Sequence, residues 1–207
     1  IKDAPLDPTT GQRVNPFASY GTPKKGDFLY KDLNGDGVID DNDKYAVGHG
    51  LAPRLTYGFS LGAEWNGFDF SCLFQGNAGL QVYWQDKFYM GYINYGDVIN
   101  KEIAEGAWRE GRTNATYPRL LTGLNTLNAQ PSDFWVQNKS YLRLKNVQIG
   151  YKIPKKLLQK LDISQLRLYT SLENMLTFTS YKGIDPEISG TTYPTMKQIT
   201  VGVNVVF

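Results

Sequence analysis

The sequence predicts an all-β chain whose strands are long enough to cross a membrane as part of an antiparallel β-barrel. Three observations carry this. Apolar and polar residues alternate over stretches that mostly run 11 to 13 residues. An ordinary globular strand has about 5–6 residues, and a tilted membrane-crossing strand roughly 9–11. The connections alternate between short and long, as turns on one side of an outer membrane alternate with loops on the other. Finally, no apolar run in the 207 residues exceeds three. That excludes a transmembrane helix, which needs roughly 20 such residues in succession. Alternating strands, by contrast, hide their lipid face inside a hydrophilic average.

Taken in order, residues 1–26 carry Pro5, Pro8, Pro16 and Pro23 and read as irregular chain. The whole of 1–53 is expected to be an extracellular loop region, with the barrel strands in 54–207. From Arg54 the pattern changes sharply. Leu55, Tyr57, Phe59, Leu61, Ala63 and Trp65 alternate with Thr56, Gly58, Ser60, Gly62 and Glu64. Asn66-Gly67 is a favoured two-residue hairpin turn, since both residues accept positive φ. Phe68, Phe70, Cys72 and Phe74 then form the returning strand.

A long external loop is expected over 79–139, with a capped helix over Asp97–Glu110. The next strand, Tyr141–Ile153, begins with Leu142 and Leu144 and switches phase to Val147, Ile149, Tyr151 and Ile153. A β-bulge near Lys145-Asn146 is needed to keep both halves on one face. Pro154–Gln165 holds a short amphipathic helical turn, KKLLQKLD. Leu166, Leu168, Leu172, Leu176 and Phe178 mark a fourth strand, and 179–194 a second long loop. The fifth strand closes the chain with Ile199, Val201, Val203, Val205 and Phe207 at alternate positions. On this count the last strand ends on the periplasmic side and the chain starts in an external loop. A terminal aromatic behind alternating apolar residues also resembles the β-signal read by outer-membrane assembly machinery. An edge strand of a soluble sandwich is the alternative.

Composition narrows the chemistry. The 22 basic and 20 acidic residues are mixed along the chain and leave a net charge of +2, with no basic patch for nucleic acid. A single cysteine, Cys72, rules out an internal disulfide framework. One histidine, His49, and the lack of CxxC, HExxH or GxSxG patterns argue against zinc or triad catalysis, so no enzyme is expected. No signal peptide opens the sequence, which leaves the compartment open. Arg54, Glu64, Asp69, Arg143, Arg167 and Glu173 fall on or near the polar phase of their strands and are expected as lumen charges and ion pairs. Asp185 and Glu187, either side of Pro186, are expected in a structural loop.

Two segments stand out as candidate sites. Residues 32–43, DLNGDGVIDDND, fit a twelve-residue calcium loop. Oxygen side chains fall at positions 1, 3, 5, 9 and 12 (Asp32, Asn34, Asp36, Asp40 and Asp43), Gly37 sits at position 6, and Val38 offers its carbonyl at position 7. Calcium wants 6–8 hard oxygen ligands, and the glycine permits the sharp turn around it. Asp in place of the usual Glu at position 12 makes magnesium the alternative. The flanks lack helical periodicity, so the ion is expected to be structural, with an affinity on the order of 10⁻⁴–10⁻³ M. A metal-free acidic turn is the other reading. The second segment concentrates Tyr83, Trp84, Phe88, Tyr89, Tyr92 and Tyr95. It reads as loop packing, as an interfacial aromatic girdle, or as a platform for a sugar or peptide.

Several stretches together resemble the SusC/RagA-type TonB-linked outer-membrane transporters of Bacteroidetes. These are Gly26-Asp27, Tyr30-Lys-Asp32-Leu-Asn-Gly-Asp-Gly37, Gly48, Pro53 and Trp65-Asn-Gly-Phe68-Asp. Ser140-Tyr-Leu-Arg-Leu-Lys-Asn-Val147, Gly150-Tyr, Asn174-Met-Leu-Thr177, Tyr181-Lys-Gly-Ile-Asp-Pro-Glu187, Tyr193-Pro194 and Phe207 complete the set. The resemblance implies the C-terminal part, about five strands, of a 22-stranded barrel. It also implies import of oligosaccharides or peptides with a SusD-like surface lipoprotein and TonB-derived energy. The plug and TonB box of such transporters have no counterpart here, and even the smallest barrels have 8 strands. Partners are therefore expected to include the remaining strands and plug of the same barrel, TonB through that plug, and outer-membrane lipid. A secreted calcium-dependent carbohydrate-binding sandwich is the rival reading, and a polysaccharide hydrolase a third.

Overall fold

In a strand, successive side chains point to opposite faces, so each alternating stretch presents one apolar and one polar side. A computed structural model describes residues 9, 17, 20–48, 50, 52–83, 92–93, 99–122, 127–159, 161–188 and 193–207. The chain divides into two compact units, Ile1–Gly48 with Tyr83–Val136, and His49–Val82 with Gln137–Phe207. In chain order the elements are β1 (Leu55–Trp65), β2 (Phe68–Ala78), β3 (Gln81–Tyr83), β4 (Tyr92–Ile93), α1 (Lys101–Gly106) and β5 (Leu121–Thr122). They continue with β6 (Val136–Asn138), β7 (Tyr141–Lys152), α2 (Lys155–Leu158), β8 (Gln165–Thr179) and β9 (Gln198–Val206).

The second unit is a five-stranded sheet in the order β1-β2-β7-β8-β9, with every long strand antiparallel to its neighbours. This is the expected C-terminal barrel pattern, each strand pairing with the next along the chain. Asn66 and Gly67 turn the first hairpin at φ 47° and 85°. The bulge falls where the phase break requires it: Cys72 faces Val147 and Phe74 faces Leu144, so Lys145 is the extra residue. β8 answers with an extra residue of its own, because Leu172 faces Val147 while Leu176 faces Leu144. Asn174, at φ 55°, lies in that stretch, a left-handed conformation that asparagine tolerates. The two compensations carry one apolar row from β1 to β9.

Burial within this sheet is inverted relative to a water-soluble domain. Leu61 is 58% exposed, Phe178 59% and Val201 76%, all on the apolar face. On the polar face Tyr141 and Arg143 are buried, at 5% and 4%. An apolar row this long normally meets a partner surface or lipid.

The first unit has a conventional core. Ile103, Tyr117 and Trp135 form one cluster, with Phe28, Tyr83, Ile99, Leu120 and Ala129 packed against it, and Phe17, Ile39 and Leu127 form another. The helix in this unit is shorter than its sequence pattern predicts. It spans Lys101–Gly106 and is capped by Asn100, whose side chain accepts from the Glu102 N–H at 2.8 Å. It ends at Gly106 because the Gly106 carbonyl accepts from Thr116 and Tyr117 N–H groups, which turn the chain away. The helical turn after Pro154 is likewise reduced to Lys155–Leu158.

Candidate functional site

The polar face of the sheet carries two charged clusters, one toward each end of the strands. Toward the short connections, Arg167 of β8 reaches Asp69 of β2, with Nε 2.9 Å from Oδ1 and Nη2 bonded to Oδ2. The intervening strand lets this happen through Gly150, which pairs with Asp69 on one side and Tyr169 on the other. A Cβ at Gly150 would lie 2.6 Å from Arg167 Nε and Nη2 and from Asp69 Oδ1. Glycine therefore lets the bridge pass directly over β7, whereas a Cβ there makes the two side-chain ends shift. Lys152 and Glu64 form a looser pair at 3.4 Å beside it.

Toward the long connections, Arg143 of β7 is the hub. Its Nε donates to Thr177 Oγ1 at 2.8 Å, Nη2 to Asp185 Oδ1 at 2.8 Å, and Nη1 to Glu187 Oε2. Lys145, the bulge residue, reaches Glu187 at 2.7 Å, and the Tyr141 hydroxyl donates to Glu187 Oε1 at 3.0 Å. Burial alone raises the Asp185 carboxyl. The Arg143 guanidinium and the N–H groups of Glu187 and Thr195 more than offset it, holding the acid below the ordinary carboxylate range. Asp185 and Glu187 are thus ion-paired loop residues, with no arrangement of a free acid beside a free base. The alternation predicts polar-phase charges and ion pairs, but it does not say which charges meet, because nothing in the sequence relates Arg143 to Asp185 until register and loop path are known.

In the other unit, Asp27 is buried against Arg119, with contacts of 2.7 and 3.0 Å, and accepts from Asn128 Nδ2 at 2.9 Å. Asn128 Oδ1 in turn accepts from the Phe28 N–H at 2.9 Å, so this buried amide is satisfied from both ends. Burial raises the Asp27 carboxyl, but Arg119, the Lys24 N–H and Asn128 outweigh that and hold it low. The sequence signal for this cluster is only Gly26-Asp27.

The acidic loop 32–43 folds on its own backbone. Asp32 accepts from Gly35 and Gly37 N–H groups at 2.6 and 2.8 Å, Asp36 from Val38 at 2.8 Å, and Asp43 from Leu33 and Asp40 at 2.7 and 2.9 Å. Asp40 caps the short 3-10 turn Asp41–Asp43. Among the described residues no three acidic, histidine or cysteine side chains are grouped closely enough to hold a metal ion as they stand. Of the aromatic segment, Trp84, Phe88, Tyr89 and Tyr95 lie outside the described residues, as does His49. Tyr92 contributes its backbone to β4. Tyr83 packs on the Ile103–Trp135 cluster and lines a cavity of about 460 Å³ together with Lys31, Asp43, Lys44 and Tyr45. Ile199, Val201, Val203 and Val205, the positions expected to form an assembly signal, lie along the apolar row of β9, and Phe207 follows it, 86% exposed.

No family model matches the chain. It is 31% identical over 203 residues to TonB-dependent receptor P3 of Formosa agariphila, covering 90% of this chain and 20% of that protein. To TonB-dependent receptor SusC of Bacteroides thetaiotaomicron it is 27% identical over 192 residues, covering 86% and 17% respectively. The described fold matches the solved RagAB peptide transporter with a TM-score of 0.64 at 28% identity, over 82% of this chain and 19% of that one. The chain belongs to the SusC/RagA type of TonB-dependent receptors. Receptors of this type are outer-membrane β-barrels, which accounts for the exposed apolar row as the lipid side and the ion-paired face as the lumen. The chain spans about a fifth of the length of the curated SusC/RagA-type relatives it matches. Those relatives are named as receptors and transporters, in keeping with the expectation of no enzyme.

Proposed function

We propose that the chain supplies the last five strands of a 22-stranded importer barrel that carries oligosaccharides or peptides across the outer membrane. The importer works with a SusD-like lipoprotein and draws energy from TonB through a plug on the rest of the barrel. The observation that carries this reading is the five-stranded sheet with its apolar face exposed and its edges, β1 and β9, each paired on one side only. Unpaired edges in lipid cost several kcal/mol per backbone group, so other strands must meet them. The curated SusC relative and the RagAB peptide transporter support an importer of this class. A sandwich would need the apolar face buried, and it is exposed.

Uptake tests the reading. Cells carrying the complete receptor should accumulate a labelled oligosaccharide or peptide, and a protonophore or loss of TonB should abolish the accumulation. A receptor recovered as a soluble monomer without detergent would refute it.

Loop 32–43 is proposed to bind calcium, or magnesium, as a structural clamp. Its oxygen-only donor set and the turn at Gly37, φ 82°, suit a hard cation. Binding requires the carboxylates now held by backbone N–H groups to turn toward the ion. Calorimetry should find calcium binding with an affinity on the order of 10⁻⁴–10⁻³ M that Asp36→Ala abolishes. Equal heats from both proteins would refute the clamp.

A further inference from the structure

The connection between β8 and β9 does not stand free of the sheet, and this follows from two sequence stretches that turn out to be halves of one cluster. Arg143 and Lys145 come from β7, while Asp185 and Glu187 come from the limb 180–188 of the connection. The second limb, 193–197, is tied in as well. The Thr195 N–H donates to Asp185 Oδ2 at 3.0 Å, and the Met196 carbonyl accepts from Asn174 Nδ2 of β8 at 3.0 Å. Lys139, just before β7, donates to the Ile188 carbonyl at 2.5 Å and stacks over the Tyr181 ring at 5.6 Å.

We propose that these contacts form an ionic latch that holds the two limbs 180–188 and 193–197 as a fixed strap on the lumen wall at the long-loop end of the barrel. Arg143 and Lys145 face two anions, Asp185 and Glu187, and the buried Lys139 adds a third cation that lies within electrostatic reach of Asp185. Arg143 and Asp185 are both nine-tenths or more buried and are each other's partner. Removing either member leaves an uncompensated buried charge, and the strap is the part free to move away from it. The strap therefore serves as part of the passage wall, its posture set by contacts to β7, to β8 and to Lys139.

This inference rests on the lumen assignment of the polar face, so its test separates the two claims. Outer membranes containing the complete receptor would be treated with trypsin, and cleavage after Lys182 followed by mass spectrometry. Heat-modifiable migration on gels would report barrel folding. Cleavage should be slow in the native receptor and at least tenfold faster in both R143Q and D185N, with migration unchanged. The double variant should be no faster than the faster single one, because both members belong to one cluster. Should R143Q fail to assemble, D185N, which lies outside the strands, decides alone. Native-rate cleavage in a folded D185N receptor, or fast cleavage in the native one, would overturn the latch. A receptor that shows no heat-modifiable barrel at all would instead overturn the lumen assignment.

Discussion

Replacing Val201 by arginine tests the inverted burial directly. Val201 is 76% exposed, faces Thr170 across the sheet and lies between Ile199 and Val203 on the apolar row. β9 has 9 residues. At a rise of about 3.4 Å per residue it is roughly 30 Å long, and a tilt near 45° gives it a height of roughly 21 Å. That nearly fills an apolar band about 25 Å tall, and Val201 is next to the strand's midpoint at Gly202. Arginine near the midplane costs about 2–4 kcal/mol, a factor of roughly 30 to 1,000 in the folding equilibrium. The same change on a water-exposed surface stays within about 0.5 kcal/mol. Thr200→Arg, one residue away on the lumen face, is the internal control. Guanidinium unfolding of the complete receptor in lipid vesicles, read by heat-modifiable migration, should separate V201R from T200R by at least about 2 kcal/mol. If the two variants unfold together within about 0.5 kcal/mol of the parent, the lipid-face assignment is wrong.

Three further outcomes are expected. Gly150→Ala should push apart Asp69 and Arg167 and destabilise the barrel by about 1–3 kcal/mol, and the loss should largely vanish in an R167Q background, as guanidinium midpoints would show. Asp27→Asn should loosen the Asp27–Arg119–Asn128 cluster by about 2–3 kcal/mol, monitored by fluorescence of buried Trp135. Because the folded Asp27 carboxyl is held below its unfolded value near 4, its stabilisation is complete above that pH and is lost as pH falls through the folded value. Acid sensitivity of the native signal below about pH 4 should therefore be blunted in D27N. Deleting Phe207 should lower receptor levels in the outer membrane, with unchanged surface labelling counting against an assembly signal there.

Much of the sheet could be read directly. Leu55 to Trp65 alternate without a break, Asn66-Gly67 turns the chain, and the phase switch after Leu144 demands an extra residue, which the register supplies at Lys145. Local patterns of this kind are legible because side-chain direction in a strand depends only on position along it. The short elements were less so. Asp97–Glu110 has helical periodicity, yet the helix stops at Gly106 because hydrogen bonds from Thr116 and Tyr117, ten and eleven residues on, claim its carbonyl. α2 likewise covers only Lys155–Leu158 of the KKLLQKLD stretch. Asp185 and Glu187 could be placed in a loop but not given partners. An ion pair across 42 residues depends on which strands are neighbours and where the loop returns.

What the amino-acid order alone determined, then, is the alternation, the hairpin, the bulge and the two-faced character of the strands. All of these follow from the two-residue period of the pleat and the φ preferences of Asn and Gly. Tertiary structure decided which charges meet: Arg167 with Asp69 over Gly150, Arg143 with Asp185 and Glu187, and Asp27 with Arg119. It also decided which face stays uncovered. Charges and exposed surfaces find partners through space, and distance along the chain carries almost no information about them.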